Sequence, residues 1–177
     1  MRVIGGEFRR RVLKSLPGLD VRPTPDRMRE SLFNILAPRL AGTIFVDAYA
    51  GTGAVGIEAL SRGARHVIFL EQSHAAVNVI RENLRTLGAD GRAKVRHGRT
   101  TALLRGLHAD IVFLDPPYHL ENEYANVLTL LAVRPPELVI AQHSSRFEPG
   151  DGNAALHRTR VLKQGDNSLS FYEPVPR

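Results

Sequence analysis

Alternation of short apolar runs with helix-length segments is what most constrains the fold of this chain. Residues 44–46, 67–70, 94–97, 111–114 and 138–141 read as five strands. A helix over 53–62 follows the first strand, with Gly63 as its stop. Ser73 caps a second helix, whose Val77, Ile80, Leu84 and Leu87 share one face and which Gly88 ends. Residues 100–105 make a short helix before strand four, and 121–131 a helix before strand five. Strands separated by helices pair in parallel through right-handed crossovers, so the expectation is an α/β doubly wound sheet. The tail breaks the period. Residues 159–163 and 168–172 flank Gly165-Asp166-Asn167, a hairpin signal, after a polar surface loop over 146–155. An antiparallel hairpin added to a parallel sheet is therefore expected.

Before the sheet, residues 1–21 carry Val3-Ile4 and Val12-Leu13, separated by Gly5-Gly6 and Arg9-Arg10-Arg11. They read as a small β-hairpin or extended arm, distinct from a main domain over 22–177. Thr24 suits an N-cap, with Pro25 at the first helical position and Asp26 in the first turn. Met28, Leu32, Ile35 and Leu36 share a helical face, and Pro38 is the expected end. Residues 1–30 hold eight Lys or Arg against four acids, an excess of 4 within a net charge of +6 for the chain. A basic arm on a near-neutral body points to a phosphate backbone. Arg9, Arg10, Arg11, Arg22, Thr24 and Arg27 are the candidate contacts, with Arg29 on the same helix start. A solvated charged face is the plainer alternative.

Several classes are excluded or disfavoured. The chain has no cysteine, which removes disulfides and thiolate metal sites. No apolar run approaches the roughly 20 residues a membrane helix needs, and Met1-Arg-Val-Ile-Gly-Gly lacks an apolar signal core. The cytoplasm is the expected compartment. The seven histidines form no close-spaced pair, so no metal site is expected. Nor does a large exposed apolar stripe argue for more than a monomer.

Two stretches carry chemistry. The first is Asp47-Ala-Tyr-Ala-Gly51-Thr-Gly53-Ala-Val-Gly56, between strand one and its helix. Glycines allow a tight turn and close approach by a ligand, and a helix N-terminus offers amide donors. Glu71 at the end of strand two can accept from ribose hydroxyls. Gly51-x-Gly53-x-x-Gly56 fits a dinucleotide fingerprint. Asp47, however, would repel a pyrophosphate and could receive an ammonium group. That favours S-adenosylmethionine (SAM), which has an ammonium, a carboxylate, a sulfonium and a ribose but no phosphate. Candidate cofactor contacts are Asp47, Tyr49, Ala50, Gly51, Thr52, Gly53, Glu71, Gln72, Arg99 and Thr100.

The second stretch is Phe113-Leu-Asp115-Pro116-Pro117-Tyr118, an apolar strand stopped by two prolines. An ionised aspartate only accepts hydrogen bonds. With a proline-held carbonyl and a flat ring beside it, Asp115 suits a planar base bearing an exocyclic amine. In isolation the same residues read as a strand-ending turn. In doubly wound sheets strands one and four are neighbours, and ligands bind at their carboxyl ends. The two stretches together suggest methyl transfer to an amine, with Asp115, Pro116, Pro117 and Tyr118 as the catalytic set. A base inside a duplex would be out of reach, so a flipped or unpaired nucleotide is implied.

These motifs resemble the RsmD family of bacterial methyltransferases, which act on the 2-amino group of one guanine in 16S ribosomal RNA. The resemblance runs through Met1-Arg-Val-Ile-Gly-Gly, Arg22-Pro-Thr-Pro-Asp-Arg-Met-Arg-Glu-Ser-Leu-Phe-Asn, the Asp47–Gly56 stretch with Ile57-Glu-Ala-Leu-Ser-Arg-Gly-Ala, Asp115-Pro-Pro-Tyr and Leu169-Ser-Phe-Tyr. It implies a Rossmann-like class I SAM-dependent methyltransferase with a seven-stranded, mostly parallel sheet and an antiparallel last strand. It also implies that Asp47, Gly51, Gly53 and Glu71 line the cofactor, and that Asp115, Pro116 and Tyr118 hold the guanine. The implied partner is 16S rRNA or a small-subunit particle. One position departs. Where the family often carries an acid for the adenine amine, this chain has Gly98-Arg99-Thr100. Arg99 cannot accept a hydrogen bond, which leaves Thr100 or a backbone carbonyl. The competing readings are a DNA adenine or cytosine amino-methyltransferase, and an RNA-binding protein with a vestigial pocket.

Overall fold

The structure, a computed structural model, describes residues 1–17 and 24–176. Seven strands form one sheet: β1 (Ile44–Asp47), β2 (His66–Glu71), β3 (Ala93–His97), β4 (Ile111–Leu114), β5 (Leu138–Ser144), β6 (Leu156–Gln164) and β7 (Asn167–Pro174). Their spatial order is β3-β2-β1-β4-β5-β7-β6. The first five pair in parallel, and β7 runs antiparallel to both β5 and β6. The helices are α1 (Asp26–Leu40), α2 (Ala54–Ser61), α3 (His74–Leu87), α4 (Thr100–Leu103) and α5 (Asn122–Leu131), with a 3-10 turn at Asp90–Arg92.

Strand side chains alternate between faces, and the core divides accordingly. Phe45, Val67, Phe69, Ile111, Phe113 and Ile140 point toward α1, α2 and α3. Val46, Ile68, Leu70, Val112, Leu114 and Val139 point toward α4 and α5. The chain leaves β1 toward β2 and β3, then returns to β4 and β5. The switch in direction falls between β1 and β4, where such sheets hold their ligands.

Two local expectations differ from the structure. Pro38 lies inside α1 rather than ending it. A proline interrupts a helix by removing one N–H bond; here that loss falls in the last turn, and Leu40, fully buried, pulls the chain on for two more residues. Thr24 is not the N-cap. Pro25 occupies that place without a side-chain cap, and the Thr24 hydroxyl donates to Gln142 Oε1 at 3.0 Å. Strand five also runs three residues beyond the apolar run, because Gln142, His143 and Ser144 pair with Leu169, Ser168 and Asn167 of β7. His143 is buried there, its ring bonded to Ser144 O and Ser170 Oγ, and burial holds its pKa below the usual histidine value.

Residues 1–13 fold back on themselves. Arg2 and Val12 form an antiparallel bridge, and Val3, Phe8 and Leu13 enter the core. Buried Glu58 on α2 accepts from Ile4 N at 2.9 Å and Gly5 N at 2.8 Å. Ser61 Oγ accepts from Phe8 N at 2.8 Å and donates to the Gly5 carbonyl. Arg29 is fully buried and donates to the Arg2 carbonyl and to Asp26. Its side chain is thus a structural tie, not the phosphate contact that its charge suggested. Burial lowers its pKa, against the pull of Glu58 and Asp26.

Candidate active site

The turn after β1 is built by backbone and carboxylates together. Asp47 is buried at the end of β1, and its Oδ2 accepts from Gly56 N at 2.9 Å. The amide donor that could have served a phosphate is therefore taken by an internal acid. Glu71, at the end of β2, accepts from Gly51 N at 2.8 Å and Ser73 N at 2.7 Å. Gly53 precedes α2 as its N-cap. Gly56 serves packing instead. A Cβ there would sit 2.3 Å from the Phe69 ring, so this glycine lets α2 lie against β2. The third glycine of the fingerprint is therefore not a ligand contact.

Burial drives the Asp47 pKa up to about 7; the Gly56 amide opposes this and the Glu71 charge adds to it. Asp115, half-buried just past β4, is pushed up to about 8 by burial and by the Asp47 charge. The register explains why these acids feel each other. Asp47 pairs with Phe113, two residues before Asp115, and Ala48 N donates to the Phe113 carbonyl at 2.9 Å. Two carboxyls with raised pKa values thus share one crevice at the switch point.

Beyond Asp115, Pro116 is buried and Pro117 exposed. The Pro117 carbonyl accepts from Leu120 N at 2.8 Å, which closes the turn. Tyr118 is 42% exposed, and its hydroxyl donates to Asn167 Oδ1 at 2.8 Å. The ring is held by its head and presents a face to solvent.

Other candidates are placed less simply. Tyr49 is half-buried, with its hydroxyl on Glu123 Oε2 at 2.7 Å; burial and this carboxylate raise its pKa. Ala50 is buried, Thr52 partly so, and Gln72 exposed with its carbonyl on His97 Nε2. Arg99 is exposed. Thr100 is not open to an adenine ring, because it is buried and its hydroxyl donates to the Ala48 carbonyl at 2.6 Å. That bond ties α4 to the end of β1. Among the basic candidates, Arg9, Arg10, Arg11 and Arg27 are exposed. Arg11 donates to the Thr86 carbonyl at 3.0 Å. Thr24, buried on Gln142, is withdrawn from any phosphate surface. Arg22 lies outside the described residues.

Sequence reasoning missed Asn83. It is buried on α3, accepts from Lys14 N at 2.8 Å and donates to the carbonyls of Lys14 and Thr52, at 3.1 and 3.3 Å. One amide therefore joins the N-terminal arm to the glycine turn. The signal was a lone asparagine beside the apolar face of Ile80, Leu84 and Leu87. Among the described residues no group of three or more His, Asp or Glu could hold a metal ion, and no helix is long and apolar enough to cross a membrane.

Comparison with known proteins agrees with this architecture. The family model described as Conserved hypothetical protein 95 matches residues 1–173. The chain is 38% identical over 172 residues to Ribosomal RNA small subunit methyltransferase D of Escherichia coli (strain K12), covering 93% of this chain and 86% of that protein. It is 34% identical to YlbH of Bacillus subtilis (strain 168), with 98% of each covered. The solved structure of yhhF from Escherichia coli superposes with a TM-score of 0.86 at 33% identity, over 100% of this chain and 99% of that one. The chain belongs to the Conserved hypothetical protein 95 family, which is the RsmD family that its arm and Asp115-Pro-Pro-Tyr motif resemble.

Proposed function

We propose that this protein is a SAM-dependent ribosomal RNA methyltransferase that acts on the exocyclic 2-amino group of a guanine in 16S rRNA. The observation that carries this reading is the crevice at the switch point, where the pairing of β1 with β4 brings Asp47 and Asp115 to the same end of the sheet. Relatives named for small-subunit rRNA methylation support the substrate class.

The residues present fit SAM. Asp47 suits its ammonium, Glu71 its ribose hydroxyls, and the Gly51–Gly53 turn lets it approach the backbone. With Thr100 turned inward and the Arg99 carbonyl accepting from Ala102 N and Leu103 N, the adenine amine falls to the Gly98 carbonyl. When bound, SAM supplies an electrophilic methyl group on a sulfonium. The protein does the rest by position and charge. Asp115 accepts one N–H of the guanine amine and the Pro116 carbonyl accepts the other, which localises the nitrogen lone pair. As the new N–C bond forms, the amine loses a proton. Asp115, whose ionised form is favoured once the SAM cation lies beside it, is suited to take it. Tyr118 stacks on the base, a contact worth roughly 1–3 kcal/mol.

The direct test is incubation with radiolabelled SAM and unmethylated 16S RNA or small-subunit particles, followed by nucleoside analysis. Label in N2-methylguanine is the expected result, and label absent from guanine would sink the reading. Duplex DNA in the same assay discriminates the DNA-methylating alternative. Calorimetry with SAM discriminates the vestigial binder, for which no heat is expected.

Two further results are expected. An ammonium beside Asp47 favours its ionised form, so SAM binding should release a proton when the free carboxyl is protonated. Affinity should then rise with pH, by up to about tenfold per unit below about 7, and fall again above about 8 as the α-ammonium of SAM loses its proton. Calorimetry in buffers of different ionisation enthalpy measures the proton count, and a count of zero at pH 6 refutes the Asp47–ammonium pair. Second, replacing exposed Arg9 and Arg10 by Glu should weaken RNA binding and flatten its salt dependence by about one unit or more of slope. An unchanged slope removes the arm from the interface.

A further inference from the structure

Beside the Asp115 crevice lies a cavity of about 420 Å³, within the range of small-molecule sites (roughly 300–1,000 Å³). Three loops at the carboxyl ends of the strands border it, and it is open to solvent on one side. Tyr118 and Glu121 come from the turn after β4, Arg146 and Phe147 from the end of β5, and Asp166 from the β6–β7 turn. The loops are tied to one another. Tyr118 reaches Asn167 across the site, and Ser145 N donates to the Asp166 carbonyl at 2.9 Å. Phe147 N donates to the Ser144 carbonyl and Arg146 N to Ser144 Oγ, which fixes the Arg146–Phe147 corner.

The walls suit a flat ring. Tyr124, on α5, packs against Phe147 with centroids 5.2 Å apart and a 35° tilt, and its hydroxyl is anchored on the Gln142 carbonyl at 2.7 Å. With the hydroxyls of Tyr118 and Tyr124 both held, their ring surfaces line the space. The charged groups in it are one exposed cation, Arg146, and two exposed acids, Glu121 and Asp166. That mixture discriminates purines. Guanine offers an acceptor at O6 and a donor at N1, whereas adenine offers a donor at its 6-amino group and an acceptor at N1. A carboxylate accepts from N1–H and repels a bare N1 lone pair, while a guanidinium donates to O6 and repels an amine.

We propose that this cavity reads the identity of the target base, with Glu121 accepting from guanine N1–H and Arg146 donating to O6. The proposal rests on the methyl-transfer reading and adds the residues that would select guanine. Glu121 is placed for it: it follows Asp115 and Tyr118 on one loop, closed by Leu120 N on the Pro117 carbonyl, and lines the cavity with Tyr118 and Tyr124. The acid that would hold the 2-amino group and the acid that would hold N1–H therefore stand on the same loop after β4, on the side where the adjacent N2 and N1 atoms would enter. Glu121 otherwise reads as an acid at the start of α5, where it would favour the helix dipole.

The experiment separates these roles. Mass spectrometry of RNA methylated by the wild-type protein first locates the guanine. Small-subunit RNA is then assembled with guanine or 2-aminopurine at that position. The analogue keeps the 2-amino group, has a bare N1 and lacks O6. Wild-type protein is expected to prefer guanine by roughly 100-fold or more in kcat/KM. Glu121→Gln should reduce that ratio about tenfold, because its amide can donate to the bare N1. Arg146→Met should reduce it by removing the O6 donor, and SAM affinity should stay unchanged in both. A wild type that methylates both bases alike, or variants that leave the ratio unmoved, overturns the proposal. A ratio that moves in only one variant removes the other residue from the assignment. If wild-type protein makes no methylguanine at all, the methyl-transfer reading fails instead.

Discussion

Asp115→Asn should lower methyl transfer by roughly 100- to 1,000-fold while leaving SAM bound, and should make the ligand-free protein more stable at pH 8. Both effects follow from one carboxyl. Its folded pKa stands at about 8 because of burial and the charge on Asp47, so the folded state holds a proton that the unfolded chain releases near pH 4. As pH rises from about 4 to 8 the folded state loses stability relative to the unfolded one, since ionisation is resisted only in the fold. An asparagine has no such charge to acquire. It keeps the shape and an acceptor oxygen but cannot take up the proton that the amine is proposed to lose. Thermal melts at pH 6 and pH 8, together with single-turnover assays, check both arms. A wild-type melting temperature at pH 8 equal to that of the variant, or retained turnover, would dismiss the role given to Asp115.

Glu58→Ala should cost about 3–5 kcal/mol, a large fraction of the roughly 5–15 kcal/mol that holds an ordinary domain folded. Glu58 is fully buried, accepts from Ile4 N and Gly5 N, and pairs with Arg62 Nε at 2.7 Å. Its removal strands two backbone donors and a guanidinium, next to an Arg29 whose Nε and Nη1 already lack partners among the described residues. Glu58→Gln, which keeps an acceptor oxygen, should lose less. Urea denaturation measures both, and a loss under about 1 kcal/mol for the alanine variant would show that the arm is held by other means.

Much of this was legible in the residues. The five parallel strands and the hairpin followed from apolar periodicity; Asp47 stood out because an acid before the glycine turn would repel a pyrophosphate, and Asp115 because two prolines and a tyrosine follow it. What escaped was every feature set by a distant partner. Thr24 looks like a helix cap locally, yet Gln142, 118 residues away, takes its hydroxyl. Thr100 looks available until the Ala48 carbonyl claims it. Arg29 looks like surface charge until the arm closes over it. Glu121 and Arg146 lie on separate loops, and only the sheet order brings them to one cavity. Gly56 matched a ligand fingerprint but serves the Phe69 ring. Local pattern sets the elements; polar partners across the sheet decide what each exposed-looking side chain can do.

The docked arm bears on how the chain assembles during synthesis. Residues 1–13 emerge well before the groups that receive them: Glu58 and Ser61 stand 53 or 54 positions downstream of their bonded amides, and Thr86 lies 75 beyond Arg11. Until those groups appear, Val3, Phe8 and Leu13 have no surface to cover them, and contacts of such sequence separation form slowly. The fit leaves little slack, since a Cβ on Gly6 would come within 1.9 Å of the Ser61 carbonyl. A nascent chain that stalls before α3 is complete would therefore carry a free cationic, apolar ribbon. That species would be a natural target for chaperones and for unwanted contact with nearby RNA.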